Sequence, residues 1–128
     1  MDTSTMINIF IAVVVILFLY KQFAPVKGVR TINSKEFDQE RKSTLDAILI
    51  DVREPHEYKS GHIPGANNLP LSQLSRRMNE LPKDKPVFVY CQSGMRSKRA
   101  AVIFKKNGIP SIVNLQGGIM AWHSSHRK

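Results

Sequence analysis

Three short runs constrain the fold more than anything else in this chain. "AILIDV" (47–52), "PVFVY" (86–90) and "SIVNL" (111–115) are largely apolar and too short for helices. A strand buried on both faces reads this way, without the alternation of a half-solvated sheet. The stretches between them are helical in spacing. Leu71, Leu74, Met78 and Leu81 recur three or four apart and predict a helix over Ser72 to Leu81. Gly94 to Lys106 predicts another, and Gly117-Gly118 opens a last short one through Trp122. Val29 to Ile32 is a further short strand, and Ser34 begins a helix with a partial capping box. "PHEYKSGHIPGA" is a loop with one helical turn, and "NNLPL" a short strand broken by Pro70. Buried strands separated by helices pair in parallel and are covered on both sides. The expected class is therefore α/β, with a central, mainly parallel sheet and helices on both faces.

In such sheets ligands gather beyond the carboxyl ends of the strands. Asp51 and Arg53, Cys91, and Gly117-Gly118 all fall just after strand ends. One fold rule thus places the most chemical residues on one rim. Cys91 is the only cysteine. Between a strand and a helix, backbone N–H groups converge and the helix N-terminus adds partial positive charge, so a thiolate is favoured there. Gly94 lets the backbone curl, Ser93 and Ser97 supply hydroxyl donors, and Arg96 supplies a permanent cation. That makes an anion cradle around a nucleophile. On spacing alone the plain alternative stands equal: Cys91 as a small buried hydrophobe, with Gly94 a turn residue and Arg96 solvated.

Composition bears on location and partners. Met6 to Tyr20 is apolar apart from Asn8, and Asp2 is the one charge before Lys21. All nineteen Lys and Arg follow in residues 21–128. A buried core helix, a cleaved signal peptide and a membrane anchor compete for this segment. The missing basic n-region and the missing A-x-A-like site speak against the signal peptide. The run with its flanks approaches the ~20 residues of a spanning helix. The expectation is an anchor over 1–24, a linker over 25–28 and a soluble domain over 29–128. Lys21, Lys27 and Arg30 follow the anchor and no basic residue precedes it, which puts the domain on the cytoplasmic side of a bacterial cell membrane. Tyr20 and Phe23 fit an interfacial aromatic belt. A lone thiol rules out an internal disulfide and suits a reducing compartment. His56, His62, His123 and His126 are too scattered for a structural zinc site. Basic character favours anionic lipid headgroups. Nucleic acid is not expected, because interleaved aromatics and a recognition helix are both missing.

"DVREPHEYKSGHIPGANNLP", then "VYCQSGMRSKRAA", then "LQGGIMAW" resembles a rhodanese domain. The resemblance covers residues 29 to 124. It implies transfer of sulfane sulfur from a small anionic donor such as thiosulfate to a thiol or cyanide, or to a protein acceptor, with no metal or organic cofactor. It implies that Cys91 is the nucleophile and carries a persulfide, and that the N–H groups of Gln92, Ser93, Gly94, Met95, Arg96 and Ser97 cradle it. Cys91 to Arg96 is Cys-x4-Arg, and Tyr90 precedes the cysteine. Cysteine phosphatases of similar fold use a longer Cys-x5-Arg loop, commonly with a preceding His, so phosphatase and arsenate reductase activity are not expected. Asp51 and Arg53 are read as braces of the active loop. His62, in "GHIPGA", is read as positioning its loop, with a general base as the second reading. Glu54, His56 and Glu57 are read as helix-start and loop residues, and Trp122 as a cap on the core. The rival to the enzyme is a rhodanese-like module that docks a membrane or sulfur-relay partner without turnover.

Overall fold

The computed structural model describes residues 2–23 and 27–126. Ala24 of the expected anchor, Pro25 and Val26 of the expected linker, and the side chains of Gln22 and Phe23 lie outside them. The element order is α1 (Thr3–Phe23), β1 (Val29–Ile32), α2 (Ser34–Ser43), β2 (Ile48–Asp51), α3 (Pro55–Lys59), β3 (Asn67–Asn68), α4 (Leu74–Arg77), β4 (Val87–Tyr90), α5 (Met95–Lys106), β5 (Ile112–Leu115) and α6 (Gly118–Ser125). The strands form one sheet in the order β1-β5-β4-β2-β3, and every neighbouring pair is parallel. All five strands therefore begin on one rim and end on the other.

The apolar runs divide by a period of two, as strand side chains must. Ile50, Val87, Val89 and Ile112 face Leu74 and Met78 of the α4 region and Ala100, Ala101 and Phe104 of α5. Leu49, Phe88, Tyr90, Val113 and Leu115 face Phe37 of α2, Ile63, and Ile119 of α6. Phe37 meets Phe88 edge-on, with ring centroids 5.4 Å apart. Each of the larger side chains contributes about 1.5–3 kcal/mol by leaving water. Both faces are covered, which is why β4 and β5 tolerate unbroken apolar sequence.

Four local expectations are corrected. The cap of α2 is Asn33, not Ser34: the Asn33 side chain accepts the Glu36 N–H at 2.9 Å. The helix expected over 72–81 is broken into a 3-10 turn (Leu71–Gln73), α4 and a second 3-10 turn (Met78–Glu80). Gln73 and Arg77, both at φ −110°, interrupt the helical backbone. Of "NNLPL", only Asn67–Asn68 pairs in the sheet. The last helix also runs past Trp122 to Ser125. Trp122 packs against the core as expected, and its indole N–H points at both Asp38 carboxylate oxygens, 3.1 Å away.

At the other end of the chain, α1 has 21 residues, about 31 Å of helix, and its side chains from Thr3 to Lys21 are exposed. It is long and apolar enough to cross a membrane.

Candidate active site

The C-terminal rim is built by three strand ends. β4 delivers Cys91, which is 1% exposed and lies with Val87 and Val89 in the core. The chain then reverses through Gln92, Ser93 and Gly94 into α5. Gly94 sits at φ 106°, a conformation that L side chains rarely adopt, and this places its N–H 3.0 Å from the Cys91 sulfur. The Ser97 hydroxyl, fully buried, lies 3.4 Å from the same sulfur and 3.2 Å from the Gly94 carbonyl. The sulfur is thus contacted by a backbone N–H and a hydroxyl at the start of a twelve-residue helix.

A second helix closes the site. The Ile119 and Met120 N–H groups at the start of α6 donate to the Cys91 and Gln92 carbonyls at 2.9 and 3.2 Å. Gly118, at φ 62°, lies so close that a Cβ there would collide with both carbonyl oxygens. Gly117-Gly118 does more than open a helix: it lets α6 press its N-terminus onto the active loop.

β2 supplies the bracing. Asp51 is fully buried and Arg53 is 4% exposed. Arg53 donates from Nε and Nη2 to the Asp51 carboxylate, the shortest contact being 2.7 Å. The same guanidinium reaches the Gly61 carbonyl at 2.6 Å and the Gln92 side-chain oxygen at 3.4 Å. It also lies over the Tyr90 ring. Tyr90 takes the Ile63 N–H on its hydroxyl at 3.1 Å, and burial pushes its phenol above the usual range. The pair therefore ties the 61–65 loop to the cysteine loop.

Arg96, read from the sequence as a permanent cation of the loop, is paired. Its guanidinium forms a two-pronged pair with Glu57 of α3, at 2.6 and 2.9 Å. These bonds, with one from the Glu54 N–H, hold the Glu57 carboxyl down at about 2. Glu57 had no local sign of this role, since its partner lies 39 residues away. Ser93 and Met95 are exposed beside the loop, and so is Met120. His62 is exposed and belongs to α3 instead of the cysteine: its ring stacks on Tyr58 at 3.8 Å and its Nδ1 lies 3.0 Å from the Tyr58 carbonyl.

The rhodanese-like domain family matches residues 34–125. An uncharacterized protein, YqhL, of Bacillus subtilis is 46% identical over 113 residues, covering 88% of this chain and 84% of that one. A protein named sulfurtransferase from Allochromatium vinosum is 42% identical, covering 73% and 88%. Among solved structures, a rhodanese-related protein of Thermoplasma volcanium superimposes with a TM-score of 0.69 at 32% identity, covering 77% of this chain and 95% of that one. A parallel sheet with helices on both faces, the matched stretch and these relatives together make the chain a member of the rhodanese-like domain family.

Proposed function

We propose that the chain is a membrane-anchored sulfurtransferase that carries sulfane sulfur on Cys91. Family membership and a relative named thiosulfate sulfurtransferase, GlpE of Pseudoalteromonas translucida, support sulfur transfer in general; that relative is 32% identical, covering 63% of this chain and 77% of its own. The observation that carries the reading is the Cys91 sulfur held by the Gly94 N–H and the Ser97 hydroxyl at a strand–helix junction.

The chemistry is two displacements. The Cys91 thiolate attacks the outer sulfur of thiosulfate. A new S–S bond forms, the old one breaks, and sulfite leaves with its electron pair. A thiolate or cyanide then attacks the outer persulfide sulfur, and Cys91 departs as thiolate. Both steps balance without oxidant or reductant. Gln92 to Ser97 hold the persulfide, while Asp51, Arg53 and the His62 loop hold the ring in shape.

The anchor is residues 1–24, the linker 25–28 and the domain 29–128, with the domain on the cytoplasmic side. Its support is the exposed apolar helix and the basic residues that follow it. The match to the Bacillus relative is longer than everything after α1, so it extends into that helix.

The rival, a docking module without turnover, draws on the burial of Cys91. Intact mass after exposure to thiosulfate separates the two. One added sulfur, about 32 Da, that cyanide or a thiol then removes supports the enzyme; reversal excludes a sulfinic acid of similar mass. An intact thiol without adduct, or an equal adduct on Cys91→Ser, overturns it.

A further inference from the structure

We infer that the N-terminal rim of the sheet docks on anionic lipid headgroups, so that the Cys91 loop faces away from the bilayer. This rests on the anchor reading and deepens it. Six residue steps separate Phe23 from Val29, at most about 20 Å of chain. Val29 starts β1, and in an all-parallel sheet every strand starts on that rim. The rim is therefore leashed close to the end of α1. Cys91 follows the opposite end of β4, a strand that spans about 13 Å.

The leashed rim is basic. Lys27 and Lys85 precede β1 and β4, and Lys42 lies in the last turn of α2, where the chain has returned to that rim. Lys105 and Lys106 end α5, and the Lys105 ammonium lies over Gly28 at the entrance to β1. Lys83 shares a shallow depression with Asn107, the residue that ends α5. Against these six lysines the turns of the same rim carry Asp46 and Asp84. Glu40 and Glu80 nearby are engaged by Arg30 and Arg77.

One apolar residue stands among the lysines. Leu45, in the turn between α2 and β2, is 86% exposed. The next residue, Asp46, has φ 61°, the sole positive φ of a non-glycine among the described residues, and this bend leaves Leu45 outside the core. Lysines that attract anionic headgroups, around a leucine that enters the interface, are the two components of surface binding to a bilayer. On the Cys91 rim the Arg53 and Arg96 guanidinium groups are paired with Asp51 and Glu57, and it is the opposite rim that the short leash holds near the end of α1. Donor and acceptor would then reach Cys91 from the aqueous side.

The test uses the full chain. Leu45→Cys in a Cys91→Ser background is labelled with an environment-sensitive fluorophore. It is reconstituted into vesicles of phosphatidylcholine, alone or mixed with phosphatidylglycerol. The expected result is emission at shorter wavelength with phosphatidylglycerol only, reversed in 1 M salt, where the screening length falls to about 3 Å. The same probe at Met120→Cys, on the Cys91 rim, stays water-like in both. In the unaltered chain, tryptic cleavage after Lys42 slows several-fold on the mixed vesicles. A water-like Leu45 probe in both lipids overturns the docking and leaves an acidic protein as the partner of that rim. A salt-insensitive shift in both, a shifted Met120 probe, or unslowed cleavage overturns it as well. Flotation after carbonate extraction reads the anchor separately. A chain that does not float loses anchor and docking together; one that floats with a water-like Leu45 loses the docking alone.

Discussion

At the C-terminal rim, Asp51 and Arg53 neutralise each other in the core, and Glu57 and Arg96 do so across two helices. At the N-terminal rim, lysines stand mostly in solvent around an exposed leucine. The same sheet ends twice, and the two ends treat charge differently. Beside Cys91 the Arg53 and Arg96 guanidinium groups are paired with carboxylates, and the sulfur is contacted by a backbone N–H and a hydroxyl. A free guanidinium beside Cys91 would draw anions but would also bind them nonproductively. Paired, it fixes geometry. The other rim has no chemistry to shape and keeps its charge for long-range attraction.

The largest effect belongs to the sulfur itself. Cys91→Ser is expected to lower thiosulfate consumption by about 10³-fold or more, as removal of a nucleophile does. Next comes the buried pair. Asp51→Leu leaves the Arg53 guanidinium buried without its carboxylate and should cost about 3–5 kcal/mol in urea unfolding. Adding Arg53→Met should restore much of that loss; a double variant that unfolds at even lower urea would break the bracing account. Gly118→Ala comes third. It forces an L side chain into φ 62° and against the Cys91 and Gln92 carbonyls. The expected cost is about 1–3 kcal/mol, with kcat falling because α6 is pushed off the loop. Unchanged kcat would show that α6 does not set the loop.

The sheet was legible because a run such as "PVFVY", too short for a helix and rich in β-branched and aromatic residues, reads as a doubly covered strand. The rim of the site followed from the parallel topology. The region 71–81 misled for a physical reason: apolar residues spaced three and four apart line one side of an α-helix and of linked 3-10 turns alike. Asn33 and Ser34 are adjacent and both are good caps, so only the bond to the Glu36 N–H separates them. The Glu57–Arg96 pair was illegible because the 39-residue separation leaves no periodic trace. Gly118 showed as a glycine pair, but its close approach to Cys91 exists only once α6 is folded onto β4. Leu45 was equally silent, since an isolated leucine in a turn reads as ordinary surface until its neighbours are placed.

Glu57 and the lysines sharpen the contrast at the low end of the scale. The fold holds the Glu57 carboxyl down at about 2, against an ordinary value of 4.5, chiefly through its hydrogen bonds from Arg96. Its ionised form therefore stabilises the fold above pH 4.5, and that contribution fades as the pH falls towards 2. Both side chains are partly solvated, so the gain is below about 1 kcal/mol. Glu57→Gln should be less stable than the parent at pH 6 and converge with it in acid. Parallel curves would show that the pair does not contribute through its charge. The smallest effect is expected from Lys42→Gln with Lys83→Gln. Neither lysine supports the core, and stability should stay within about 0.5 kcal/mol. Activity towards soluble thiosulfate in detergent should also hold, because these charges sit a strand's length from Cys91. If it fell several-fold, the N-terminal rim would be steering the donor instead of serving only the membrane, and the division of labour between the rims would be wrong.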